Sequence, residues 1–353
     1  MNSSISSFRQ LVISKPAREQ EQGAKIVRIF QEAGLPIEER ADDTAILDKL
    51  PTTRASSLLV LLAPSLGWIT PVEYGTLASR LGEHYLNPIM GCQSSCTYCF
   101  LRARPGGLRP LRFHVGVNAM LFAIEERLAQ VKPGQAALFS TGELADSLGD
   151  AELYPVAAIL TDYFSRSTKA HLELRTKSNK VQGLLSVEHR GRTRVSFSIS
   201  PQTHIDVYEP GTASLIERVE AGRLCQQAGY PIALKLEPLH LTEAWQQEYE
   251  EAIALIAKYI DISQLHHVSI GCLRWSKRLK EVPTFAKVYA SIVQQSEWIE
   301  YRPGIFNGTV PRKDRFNAYN WMRQLLRRHR FAGSIWWSLE EPDLIAELEN
   351  LDR

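Results

Sequence analysis

Residues 135–143 read QAALFSTGE, and comparable short runs return at 171–178 (HLELRTKS), 194–201 (RVSFSISP), 231–238 (PIALKLEP) and 266–274 (HHVSIGCLR). Each is rich in branched or aromatic residues and ends in polar or turn-forming ones, the pattern of a short buried strand. Around and between them lie stretches with helical spacing: 119–129, 151–164, 245–259, and SLIERVEAGRLCQQAG at 214–229, closed by Gly229. Strand and helix in alternation predict a parallel sheet covered by helices. The expected fold class is α/β, a partial or complete (β/α) barrel with additions at both ends. In such a barrel, chemistry gathers where the strands end. The tips Thr141-Gly142-Glu143, Thr176-Lys177-Ser178, Ser198-Ile199-Ser200, Glu237-Pro238 and Arg274 are expected to meet at one mouth.

Outward from this core, residues 1–85 read as an N-terminal α/β extension. It has a strand at 11–13, a helix over 22–33 ended by Gly34 and Pro36, and the apolar run LLVLLAPS at 58–65. Periodicity alone leaves that run as a strand or a short helix. The barrel is placed at 86–290 and a C-terminal extension at 291–353. Two stretches are basic. Residues 166–194 carry Arg166, Lys169, Arg175, Lys177, Lys180, Arg190, Arg192 and Arg194, and the segment 301–330 holds eight Arg or Lys against the single acid Asp314. These could form a phosphate-binding surface, with Trp336 and Trp337 as core or as a stacking platform. The stretch from Glu340 to Asp352 reads as an acidic helix.

At 353 residues the chain can bury a large core. Its 41 basic and 39 acidic residues leave a net charge of +2, which excludes a strongly cationic nucleic-acid coat but not a local basic face. No run approaches the roughly 18 apolar residues of a membrane span. The N-terminal stretch lacks the apolar core of a signal peptide, so a cytoplasmic chain is expected.

Cysteine usage is the sharpest local signal. Of five cysteines, Cys92, Cys96 and Cys99 fall within NPIMGCQSSCTYCFLRA at 87–103, while Cys225 and Cys272 lie on expected regular elements. An odd number in a chain this long is no disulfide framework. Soft thiolates at Cys-x3-Cys-x2-Cys spacing suit an iron–sulfur cluster, and with no fourth cysteine nearby one iron is left open to bind and activate a ligand. The competing reading is a structural zinc site with His84 or His114 as fourth ligand, although such sites usually have two well-separated ligand pairs.

Cys-x3-Cys-x-aromatic-Cys, with Tyr98 as the aromatic, resembles the signature of radical S-adenosylmethionine enzymes. Within that superfamily the chain resembles the spore photoproduct lyase family. The likeness is carried by KPAREQEQGAKI, GCQSSCTYCFLRA, TKS at 176–178, RVSFSIS, YEPGTASLIERVEAG and AGYPIALKLEP. It implies a 4Fe-4S cluster on Cys92, Cys96 and Cys99, with S-adenosylmethionine on the open iron. One electron from the reduced cluster then generates a 5′-deoxyadenosyl radical that abstracts hydrogen from substrate. By the same resemblance, Glu143 receives the methionine amino group, Lys177 its carboxylate, and Ser198 also meets the cofactor. Tyr98 covers the cofactor or the cluster edge. Arg274 and Glu237 line the substrate space. Cys272 is a buried small hydrophobe or a replacement hydrogen donor. A reducing partner such as flavodoxin or ferredoxin is implied, and nucleic acid is a candidate substrate.

The chain departs from the family pattern in two places. The lyase uses a cysteine in the loop after its second strand, and the corresponding loop here, FSTGELADSLG, holds none. It also has a tyrosine after the third cluster cysteine, where this chain has Phe100. The expectation is therefore a relative acting on a different substrate or ending its reaction differently. The alternatives are a DNA photoproduct repair lyase proper, a noncatalytic nucleic-acid-binding module with structural zinc, and a small-molecule or tRNA-modifying radical enzyme.

Overall fold

A computed structural model describes residues 5–48, 57–63, 68–72, 83–104, 108, 110–132, 134–302 and 304–351. Pro64, Ser65 and Asp352, parts of the runs read above, lie outside them. The first strands in chain order are β1 Gln10–Ser14, β2 Ile37–Arg40, β3 Leu58–Leu62, β4 Ile69–Pro71, β5 Glu83–Leu86, β6 Ile89–Met90, β7 Leu111–His114 and β8 Ala137–Thr141. They are followed by β9 Ala170–Thr176, β10 Thr193–Ser198, β11 Ile232–Leu239, β12 His267–Cys272, β13 Arg274–Trp275, β14 Glu297–Arg302, β15 Ile305–Thr309 and β16 Ser334–Trp337.

The main sheet has eight strands in the order β16-β12-β11-β10-β9-β8-β5-β4, parallel throughout except for β4 against β5. It does not close on itself, so the barrel is partial. β8, β10 and β12 are buried at every position, as expected of parallel strands with helices on one face and a packed or enclosed interior on the other. The helix Leu215–Gln227 opens with a Ser214–Glu217 capping box and packs on β10 and β11. Helix Val156–Ser165 covers β9 and β10, and the long helix Arg312–Arg328 leans on β12. The expected helix at 151–164 begins only at Val156, because 151–153 form a turn.

A second sheet, ordered β2-β1-β3-β7-β6, packs into the same apolar core, and LLVLL is its central strand rather than a helix. The two sheets interleave along the chain, so cuts at 85 and 290 do not follow them. β4 and β5 belong to the main sheet though they precede residue 86; β6 and β7 complete the N-terminal sheet though they follow it; β16 adds the last barrel strand. The chain crosses from the main sheet to the N-terminal sheet at Asn87-Pro88, between β5 and β6.

Several cations of both basic stretches are paired with acids within the chain. Arg175 bonds the carboxylates of Glu83 and Glu173, and Arg194 meets Glu173 at 3.1 Å. Arg315 is fully buried among Glu297, Glu340 and Glu341, while Arg312 reaches Asp343 and Glu347 on the last helix at 3.0 Å. Trp336 stacks on His267 at 3.6 Å and Trp337 packs on Tyr319 at 5.3 Å. Both tryptophans are half-buried in β16 and line the large cavity at the strand ends. No helix among the described residues is long and apolar enough to cross a membrane.

Candidate active site

Backbone geometry shapes the cysteine loop independently of any metal. Gly91 takes φ +91°, and a Cβ there would stand 2.7 Å from the Leu108 carbonyl oxygen, so the turn requires glycine. The Cys92 amide donates to that carbonyl at 3.1 Å, the Ser95 amide to Pro210 at 2.7 Å, and the Thr97 amide to Tyr208 at 2.8 Å. Arg102 folds back over the loop, its Nε donating to the Cys96 carbonyl at 2.7 Å and its Nη2 to that of Ser95 at 2.5 Å.

The three sulfurs line one cavity of about 1000 Å³ at the C-terminal ends of the barrel strands. Burial pushes all three thiols up, Cys92 to about 12, and the charges of the other cysteines push Cys92 and Cys96 further. Thiols raised in this way ionise only with a positive centre beside them. Among the described residues, no three His, Cys, Asp or Glu side chains gather closely enough to hold a single metal ion. A mononuclear zinc site takes all its ligands on one ion, whereas a cubane cluster takes each thiolate on a different iron. His114 lies instead beside Trp68, and His84 stacks on Phe139. The donor set therefore fits an iron–sulfur cluster with one iron left without a protein ligand.

The other residues singled out in the sequence converge on the same cavity: Tyr98, Glu143, Lys177, Ser198, Glu237, Cys272 and Arg274 all line it. Gly142, with φ +97°, turns the chain out of β8 to present Glu143, whose carboxyl is raised by burial against the opposing pull of Arg175, Lys235 and Arg104. Lys177 leaves the end of β9 with Nζ 5.8 Å from the Tyr98 ring centre. The Tyr98 hydroxyl donates to Glu209, a fully enclosed carboxylate that also accepts from Arg218 at 2.5 Å. Burial works to raise the Glu209 carboxyl, but Lys177, Arg218 and these hydrogen bonds hold it at about 2. Glu237 is likewise kept ionised against burial, by Lys235 at 3.1 Å and the Ser269 hydroxyl. Arg274 is paired with Glu340 at 2.7 Å, and the Tyr319 hydroxyl donates to the same carboxylate at 2.7 Å while accepting from the Cys272 amide at 3.0 Å.

Sequence reading missed Asp146, Glu209 and Arg218. Asp146 accepts from the Thr176 hydroxyl and the Lys177 amide, both at 2.7 Å, and from the amides of Leu148 and Gly149 at 2.9 Å. It ties the loop that carries Glu143 to the loop that carries Lys177. The available signal was Asp-Ser-Leu-Gly at 146–149, a side chain well placed to cap its own turn. Asp146→Ala is expected to cost about 2 kcal/mol of stability, because it orphans the Lys177 amide, and to weaken S-adenosylmethionine binding about tenfold. Urea unfolding and calorimetric titration would measure the two effects. Unchanged affinity would show that the Lys177 loop holds its place without Asp146.

The family model for spore photoproduct lyase matches residues 10–289. The chain belongs to this family. Spore photoproduct lyases are radical S-adenosylmethionine enzymes, and the fold and cysteine loop described above are those of a member. The spore photoproduct lyase of Bacillus subtilis is 27% identical over 208 residues, which cover 58% of this chain and 60% of that one. The matched region thus spans less than two thirds of that relative. The Clostridium acetobutylicum lyase is 26% identical over 248 residues, covering 70% and 73%. Among solved structures, a spore photoproduct lyase complexed with dinucleoside spore photoproduct superposes with TM-score 0.82 at 19% identity, covering 94% of this chain and 99% of that one. A doubly mutated lyase with bound AdoMet and the same dinucleoside superposes with TM-score 0.81 at 20% identity, covering 93% and 98%. At such identities the superpositions show the shared fold.

Proposed function

We propose that this chain holds a 4Fe-4S cluster on Cys92, Cys96 and Cys99, binds S-adenosylmethionine, and abstracts hydrogen from a nucleic-acid substrate. The supporting observation is that three thiols share one large cavity with Glu143, Lys177 and Ser198, each from a different strand end. When bound, cluster and cofactor together supply one-electron cleavage of a sulfonium bond. The chain's part is positioning and exclusion of water.

Glu143, whose carboxyl is raised by burial, favours an ammonium partner and receives the methionine amino group. Lys177 offers its ammonium to the methionine carboxylate, and Ser198 bonds the cofactor from the end of β10. Tyr98, fixed by Glu209, closes the cofactor side against the cluster loop. Arg274, Glu237 and Cys272 line the substrate side. The electron comes from a small reductant such as flavodoxin or ferredoxin.

Nucleic acid is favoured as substrate because the relatives of the same fold bind a dinucleoside photoproduct. The end of the reaction differs from the lyase proper. No cysteine stands in the β8 loop, Phe100 follows the third cluster cysteine, and Cys272 is the one cavity cysteine outside the loop among the described residues.

Anaerobic iron reconstitution followed by reduction with dithionite in the presence of S-adenosylmethionine tests this reading. Release of 5′-deoxyadenosine is expected, with weaker cofactor binding in Glu143→Ala. Adding the dinucleoside photoproduct should raise turnover without the clean return of thymidine that marks the lyase. A reconstituted chain that carries only zinc and releases no deoxyadenosine would end the proposal.

A further inference from the structure

Where the two sheets join, the cavity wall carries polar atoms with nothing to bond. Trp68 precedes β4, Asn87 follows β5 and His114 ends β7, and all three are at least nine-tenths buried. The Asn87 amide donates to the Trp68 carbonyl at 2.9 Å, and the His114 amide to the carbonyl of Pro88, also at 2.9 Å. The rings of Trp68 and His114 meet edge to face at 5.7 Å. All three side chains line the cavity that holds the cysteines. Yet Trp68 Nε1, Asn87 Oδ1 and His114 Nδ1 have no hydrogen-bond partner among the described residues.

Orphaned buried polar atoms are uncommon and costly, and three on neighbouring segments ask for a reason. The ring of His114 donates to the Ala63 carbonyl, which leaves Nδ1 as a bare acceptor. The cluster thus presents one donor, Trp68 Nε1–H, beside two acceptors. Tyr85, on β5 two positions before Asn87, also lines the cavity, with the Arg175 guanidinium 5.4 Å from its ring centre on one side. A flat surface beside a donor–acceptor edge is what a planar heteroaromatic ring requires. The cavity sits at the top of the roughly 300–1,000 Å³ range of small-molecule sites, leaving room for a second molecule beside a cofactor.

We infer that Trp68, Asn87 and His114 form a substrate subsite that reads the edge of a nucleobase, with Trp68 donating to a base carbonyl or ring nitrogen and Asn87 or His114 accepting from the neighbouring N–H. This rests on the proposed nucleic-acid substrate and adds the residues that select it. These side chains touch the substrate base and stand apart from Glu143, Lys177 and Ser198, the groups proposed for the cofactor.

The test uses two variants, Trp68→Phe, which removes the N–H together with the five-membered ring, and Asn87→Leu, which replaces the carboxamide by an apolar group of similar size. Calorimetric titration of the reconstituted full chain would use dinucleoside spore photoproduct and the unmodified dinucleoside monophosphates of thymidine, deoxyguanosine, deoxyadenosine and deoxycytidine. Each variant is expected to bind the preferred probe about tenfold more weakly, the loss of one enclosed hydrogen bond. S-adenosylmethionine affinity should be retained. Asn87→Leu removes an orphaned polar atom at similar volume, so its melting temperature should hold or rise, which a purely structural role would not give, whereas Trp68→Phe also opens a void and should melt somewhat lower.

Variants that bind the photoproduct as tightly as the natural chain would overturn the subsite while leaving the substrate reading intact. Sensitivity confined to an unmodified dinucleoside, with no photoproduct binding, would support the subsite and remove the photoproduct as substrate. Absence of binding by every probe, or loss of cofactor affinity in parallel with falling melting temperature in both variants, would overturn the inference.

Discussion

Cys96→Ala is expected to yield a folded chain that retains little iron and forms 5′-deoxyadenosine at least about 10³-fold more slowly, the scale of loss when an indispensable group is removed. Folding should survive because backbone and Arg102 hydrogen bonds shape the loop, not the sulfurs. A thiol-to-methyl change at a position 8% exposed removes little volume, so stability should shift by about 1 kcal/mol or less. Cys225→Ala is the matched control. Cys225 lies in the helix Leu215–Gln227, fully buried in the apolar core away from the cavity lining. Its loss should cost about 1 kcal/mol of packing and leave iron content and turnover unchanged. Iron analysis, visible absorbance and product chromatography on both variants separate the roles. Equal iron retention in the two would mean that the three sulfurs do not act together.

That contrast between cysteines was legible in the sequence because ligand spacing is a local property. The parallel strands β8 to β12 were legible for a similar reason: each is a short branched run bounded by turn residues. β5 was not read, because Glu83-His84-Tyr85-Leu86 carries polar side chains turned into a cavity and lacks the apolar run of a buried strand. β16 escaped because its Trp-Trp pair reads equally as core or as platform until Arg194 and His267 are found beneath it. Partners distant in sequence escaped altogether. Glu209 and Tyr98 are 111 residues apart, and Arg315 finds Glu340 and Glu341 only once the last helix has docked. The basic stretches misled for that reason: charge counted along a segment says nothing about which acids fold against it.

Arg218 shows how much of the site rests on such distant pairing, and Arg218→Met is expected to be among the most destabilising single changes. The guanidinium is fully buried, and its donors reach the carbonyls of Ala213 and Ser198 at 2.9 Å, the Thr212 hydroxyl at 2.6 Å and Glu209 at 2.5 Å. Removing it leaves a carboxylate enclosed without its closest cation, which costs about 3–5 kcal/mol. The loss should depend on pH. In the natural chain Glu209 titrates at about 2, against an ordinary value of 4.5. A depressed carboxyl stabilises the fold fully above 4.5 and loses that contribution as pH falls through about 2, here about 3 kcal/mol in all. Without Arg218 the Glu209 carboxyl rises and takes up its proton more readily, so part of that gain is lost while Lys177 still supplies the rest. The stability gap between natural chain and variant should therefore be widest at pH 7 and narrow by most of its size at pH 2 to 3. Because Arg218 also holds the Ser198 carbonyl and, through Glu209, the Tyr98 hydroxyl, S-adenosylmethionine should bind the variant more weakly under conditions where it remains folded. Urea unfolding at the two pH values reads the first effect, and a gap of constant size would mean that Arg218 stabilises by packing and neutral hydrogen bonds rather than by neutralising Glu209.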